Sequence, residues 1–154
     1  MEITTAIFNT LDELKIIYNT KLPEGKTRVK DIYVAQCFLG LRVSDMFNFI
    51  RQIEKTVKII EGKKFFEIKT QKTGEVVVIP ASSIVLEIFE KYNYNFGNKF
   101  SEWYYRRTLK EIVSETEIDR EILFHRTEGG VKIERTVFFS ELMGTHTARR
   151  TFAS

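Results

Sequence analysis

The chain has 154 residues, 43% of them apolar, with 24 Lys plus Arg against 21 Asp plus Glu, and a chain of this length can bury roughly 68–70% of its unfolded surface in a core that needs no staples. Its one cysteine, Cys37, excludes a disulfide framework and a Cys-rich zinc site, and its longest apolar stretches, 76–80 and 84–86, fall far short of the ~20 residues a membrane span needs. Residues 1–10 lack the basic start and apolar block of a secretory signal, so a cytoplasmic protein is expected; the net charge of +3 and pI near 8.9 fit a polyanionic partner without requiring one.

No internal repeat, low-complexity tract or linker interrupts residues 1–154, which read as a single domain. Thr10 and Glu13 form a capping box, and Leu11, Leu14, Ile17 and Tyr18 then recur at helical spacing, predicting a first helix over 11–20 that Pro23 stops. A second apolar stripe, Val29, Ile32, Tyr33, Gln36, Cys37 and Leu39, ends at Gly40, a residue suited to the left-handed turn that closes helices. Ser44 is the expected cap of a short third helix through Met46, Phe47 and Ile50. The period then changes: Val57, Ile59, Phe65, Phe66, Ile68 and 76–79 are β-branched or aromatic and are punctuated by Glu61-Gly62 and Thr73-Gly74, which predicts three short strands in a meander. Ser82 and Ser101 each begin a helix, separated by a break at 95–98, and 122–137 reads as a hairpin about Gly129-Gly130. From Thr145 the composition is again helical, but the sequence ends at Ser154 before a core helix could finish, so the domain is expected to be truncated at its C-terminus.

The densest polar cluster is His146, Arg149 and Arg150, whose spacing is expected to put one imidazole and two guanidiniums on one helical face, where the first turn also favours an anion. A basic helix end salt-bridged to its neighbours is the competing use of the same residues. Arg42 lies in Gly40-Leu41-Arg42-Val43-Ser44-Asp45, between two helices. It either pairs with Asp45 or the carbonyls of the preceding helix, or offers a planar fork to two oxygens of one phosphate with Asp45 holding it in place. Lys72 sits at a strand turn, where lysines are usually only solvated; against a substrate, its ammonium can donate a proton to a leaving oxygen. His125, on the expected strand between Phe124 and Arg126, reads as structural. No set of carboxylates has metal-ligand spacing, so no metal or other cofactor is expected.

Gly-Leu-Arg-Val-Ser-Asp at 40–45, Lys-Thr-Gly at 72–74 with Val-Val-Ile-Pro at 77–80, and Thr-His-Thr-Ala-Arg-Arg-Thr-Phe-Ala-Ser at 145–154 occur in that order. With these motifs the chain resembles the catalytic domain of the tyrosine recombinase (phage integrase) family over residues 11–154, most like the integrases of conjugative transposons and related mobile elements. The resemblance implies an α+β fold, mostly helical with a small three-stranded antiparallel sheet, and a role in DNA integration or site-specific recombination. It implies Arg42 as the first catalytic arginine, Asp45 as its acidic support, Lys72 as the hairpin lysine, and His146 and Arg149 as the His-x-x-Arg pair, with Arg150 as a further DNA phosphate contact.

In that family a tyrosine hydroxyl attacks a DNA phosphodiester, leaving a 3′-phosphotyrosyl bond and a free 5′-hydroxyl without a metal. The family's further His or Trp and its nucleophilic Tyr follow His-x-x-Arg by a few tens of residues, and a core-binding domain precedes the catalytic one. The sequence is therefore expected to be an incomplete enzyme, inactive alone. Its implied partner is double-stranded DNA in a bacterial cytoplasm, with the full-length protein a tetramer on DNA and this chain a monomer. A non-catalytic DNA-binding or regulatory module using the same basic face is the alternative.

Overall fold

A computed structural model describes residues 7–144 and 146–153. Among these residues the fold is α+β, with eight helices, one three-stranded antiparallel sheet and one two-stranded hairpin.

Helix α1 (Leu11–Asn19) opens on the expected capping box: Thr10 Oγ1 accepts the Glu13 N–H at 3.2 Å and Glu13 Oε1 accepts the Thr10 N–H at 2.9 Å. Leu14 and Ile17 face the core, whereas Leu11 is exposed. The helix ends at Asn19, and Pro23 is instead the cap of α2 (Glu24–Leu39), a place where its missing N–H leaves no orphan. Helix α2 is the axis of the fold. It packs against α1, α5 (Ser83–Lys91), α6 (Glu102–Ser114) and α8 (Thr147–Ala153), and so is buried nearly all round.

Burial on every side obliges the polar residues of α2 to find partners. Lys30 Nζ donates to the carbonyls of Tyr18 at 2.9 Å and Thr20 at 3.3 Å. Asp31 Oδ2 accepts from Lys91 Nζ at 2.8 Å and from the Tyr92 hydroxyl at 2.6 Å, tying α2 to α5.

Helix α3 (Val43–Ile50) follows the α2 end after three residues, and the one-turn α4 (Ile53–Thr56) leads into β1 (Val57–Ile60), β2 (Lys63–Lys69) and β3 (Val76–Pro80). The strands form the expected meander, in the order β1-β2-β3. Registers Phe66↔Ile79 and Ile68↔Val77 put these four side chains on the inner face, where Phe66 and Ile68 are buried. Phe49, Phe66 and Phe89 lie edge to face or tilted with centroids 5.1 to 5.7 Å apart, joining α3, β2 and α5. Full burial of a Phe side chain is worth about 1.5–3 kcal/mol, so the three together anchor the sheet firmly on the helices. The hairpin about Gly129-Gly130 is present as β4 (Glu121–Glu128) and β5 (Val131–Phe138). The one-turn α7 (Phe139–Leu142) then leads toward α8. No helix of the described residues is long and apolar enough to cross a membrane.

Candidate functional site

The site is built around the corner between α2 and α3. Gly40 has φ 71°, the left-handed conformation, and its N–H bonds the Gln36 carbonyl at 2.8 Å, closing α2. The corner is bolted to the core from below: Gln36 Nε2 donates to the Leu41 carbonyl at 3.0 Å, while Gln36 Oε1 accepts the buried Tyr105 hydroxyl at 2.6 Å. With Leu41 fixed in this way, α3 starts at once, and its first intrahelical bond runs from the Met46 N–H to the Arg42 carbonyl at 2.8 Å. Arg42 is therefore the cap residue. Ser44, the expected cap, lies inside the first turn and is exposed.

Arg42 is half-buried, and its guanidinium makes no hydrogen bond or ion pair among the described residues. Neither structural pairing expected for it, with Asp45 or with the carbonyls of α2, is made. Asp45, 2% exposed, is committed elsewhere: its Oδ1 accepts the Gln71 N–H at 2.9 Å. The carboxylate thus fastens the β2–β3 turn to α3, and with it the neighbouring Lys72. That turn is itself well bonded. The Gly74 N–H reaches the Thr70 carbonyl at 2.9 Å, the Thr70 N–H reaches the Glu75 carbonyl at 2.8 Å, and the Thr70 and Thr73 hydroxyls meet at 2.9 Å. Lys72 projects from this frame, exposed and without a hydrogen bond or ion pair among the described residues.

Helix α8 brings the third group. Thr147, Ala148 and Thr151 are buried on its α2-facing side. Arg149 Nε donates to the Gly40 carbonyl at 3.3 Å across 109 positions of sequence, which leaves the outer nitrogens of its fork without a partner among the described residues. The Phe152 ring lies against Gly40 so closely that a Cβ there would stand 2.6 Å from its Cδ1. His146 is exposed just before α8, and its carbonyl accepts the Arg150 N–H at 3.2 Å. The α2–α3 corner is thus bonded to α8 beside Arg149 and to the β2–β3 turn beside Lys72.

Arg150 departs from its neighbours. Successive helical residues point about 100° apart, as 3.6 residues per turn requires, and its Nε donates to the Ile7 carbonyl at 2.7 Å, away from Gly40. Hence the two arginines do not share one direction, contrary to the expectation of two guanidiniums pointing the same way. Thr145 of the third motif lies outside the described residues.

Tyr33 and Tyr105 are fully buried, and burial pushes both hydroxyls well above their usual range. Tyr18 is raised to about 12, first by burial and then by Glu87, and Tyr92 is also raised, by burial and the Asp31 hydrogen bond. His125 Nδ1 lies 3.3 Å from Glu134 Oε1 across the β4–β5 pair. Among the described residues, no three His, Cys, Asp or Glu side chains gather where they could hold a metal ion. A cleft of about 630 Å³, bordered by Phe47, Arg51, Lys55, Phe96 and Lys99, sits at the opposite end of α3 from Arg42.

Gln36 and Tyr105 hold the corner and Phe152 lies against it, yet their roles are not evident in the sequence motifs. Only Gln36 leaves a signal, as an amide on an otherwise apolar helical stripe. Comparison of the chain with protein-family models, curated proteins and solved structures returned no match.

Proposed function

We propose that the chain is the catalytic-domain portion of a tyrosine recombinase that breaks and rejoins duplex DNA through a 3′-phosphotyrosyl intermediate. The observation that carries this reading is the pair of long-range bonds at the α2–α3 corner, Arg149 Nε to the Gly40 carbonyl and the Gln71 N–H to Asp45. They bring the segments of Arg42, Lys72 and Arg149 together although neither bond is needed to form a helix or a strand.

In-line attack on a phosphodiester gathers negative charge on the non-bridging oxygens, and two preorganised guanidiniums, Arg42 and Arg149, stabilise it. Fixing Arg149 through Nε leaves its outer nitrogens for a phosphate, and the Arg42 fork has no partner among the described residues. A tyrosine hydroxyl has a pKa near 10, so at neutral pH it needs a base, a role given to His146. Lys72, held on a bonded turn with its ammonium unpaired among the described residues, protonates the departing 5′-oxygen. Asp45 acts on Lys72 by fixing its turn rather than on Arg42 by ion pairing.

The test has two steps. The chain is expected to bind duplex DNA with little sequence preference and with affinity that falls steeply as salt rises, because phosphate contacts release counterions. A gene product extending past Ser154 to a tyrosine is then expected to form a covalent DNA adduct on denaturing gels, lost in Arg42→Ala and Arg149→Ala. Binding with no adduct would favour a DNA-binding module, and salt-independent binding would contradict both readings.

A further inference from the structure

The seven described residues of helix α8 are tied to the rest of the fold by bonds from outside the helix. Its place is set from outside, and besides Gly40 the segment 7–10 ahead of α1 does this. The Ile7 carbonyl accepts Arg150 Nε at 2.7 Å. The Asn9 N–H donates to Thr151 Oγ1 at 2.9 Å, and Thr151 Oγ1 in turn donates to the Thr147 carbonyl at 2.8 Å. The Asn9 side-chain Oδ1 accepts the Tyr33 hydroxyl of α2. Asn9 is 1% exposed and Tyr33 fully buried. Asn9 therefore bonds α8 with its backbone and α2 with its side chain, bridging two helices that also pack on each other directly. An apolar residue at position 9 would fill the space but leave the Tyr33 hydroxyl buried without that acceptor.

We infer that Asn9 is a positioning residue: with Tyr33 it seats α8 against α2 and so fixes where Arg149 and His146 present themselves to a DNA phosphate. The inference rests on the reading of the α2–α3 corner as a phosphate site. Among the described residues Asn9 makes no hydrogen bond to that corner, and its influence passes through Thr151 and Thr147 along α8.

The test uses the 154-residue chain with Asn9→Ala, Tyr33→Phe, Arg149→Ala and the Asn9→Ala/Arg149→Ala double variant. Affinity for a fluorescein-labelled duplex is measured as salt is varied, and amide exchange is followed in α8 and α2. Losing one phosphate contact lowers the magnitude of the salt slope by about 0.9. Arg149→Ala is expected to show that drop. Asn9→Ala keeps the backbone bond to Thr151 but frees the 7–10 segment from Tyr33. It should therefore show the drop too, with faster exchange in α8 while α2 stays held by its other neighbours, and the double variant should lose no more than Arg149→Ala alone. Tyr33→Phe removes only the hydroxyl and gives the same pattern if Asn9→Ala fails to fold. An Asn9→Ala effect that adds fully to that of Arg149→Ala, or α8 exchange unchanged in both Asn9→Ala and Tyr33→Phe, overturns the positioning role. If Arg149→Ala leaves DNA binding unaltered, the phosphate reading fails, and α8 exchange alone then decides whether Asn9 seats the helix.

Discussion

Gly40→Ala is the most informative single perturbation of the corner, because two separable penalties meet there. The residue sits at φ 71°, and a side chain in this conformation costs roughly 1–2 kcal/mol. The added Cβ would also stand 2.6, 2.7 and 2.9 Å from three atoms of the Phe152 ring, closer than any real contact. Moving an overpacked neighbour typically costs about 1–3 kcal/mol, and the lower end applies here because Phe152 is 56% exposed and can swing outward. The sum is about 2–3 kcal/mol, which at about 2–4 °C per kcal/mol for a chain of this size lowers Tm by roughly 4–12 °C. Relieving the contact with Phe152→Ala should leave only the backbone term, so Gly40→Ala in that background costs about 1–2 kcal/mol. Urea unfolding of the four proteins measures this directly. Equal losses in both backgrounds would show that Phe152 does not press on Gly40, and a loss below about 0.5 kcal/mol in the parent would refute the reasoning altogether.

Asp45→Ala removes the acceptor of the Gln71 N–H; it is expected to cost about 1.5–3 kcal/mol and to speed amide exchange at Gln71, and unchanged exchange there would contradict the tether. Lys72→Ala, at an exposed position, should change stability by less than about 0.5 kcal/mol. In a cleavage-competent protein it should slow strand cleavage by roughly 10²–10⁴-fold, with most of the rate restored on a substrate whose bridging 5′-oxygen is sulfur. Arg42→Ala should gain no such restoration, and equal restoration of both would remove the general-acid role. Burial pushes the Cys37 thiol from 9.0 up to about 12, so the unfolded chain loses this proton first as pH rises. Stability is therefore full below pH 9 and falls between pH 9 and 12 by up to about 1.4 kcal/mol per unit from this group. Urea unfolding at pH 8 and pH 10 checks the sign, and a stability that rises with pH contradicts it.

Much of the fold is legible because its signals are local. The Thr10–Glu13 capping box, the Gly40 stop, the serine caps at Ser82 and Ser101, and Gly129-Gly130 each fix one element through contacts a few residues apart. The one-turn helices α4 and α7 leave no trace, since four residues cannot display a period of 3.6. Ser44 has the right side chain for a cap but the wrong place, because the cap is decided by Gln36 holding the Leu41 carbonyl. The site is legible in its residue types and not in its wiring. Asp45 looks like a partner for Arg42, three positions away, yet its bond is to a backbone N–H, which carries no side-chain signature. Arg149 and Arg150 look like a pair, but the helical rotation between neighbours sends one to Gly40 and the other to Ile7.

The central claim is that Arg42 and Arg149, far apart in sequence, hold one phosphate between them. Guanidinium NMR of the ¹⁵N-arginine-labelled chain, titrated with inorganic phosphate, tests it most directly. The Arg42 and Arg149 side-chain signals are expected to shift together along one binding curve, and Arg42→Ala should weaken the binding read at Arg149. Two independent curves, or an Arg149 response untouched by the loss of Arg42, would contradict the account.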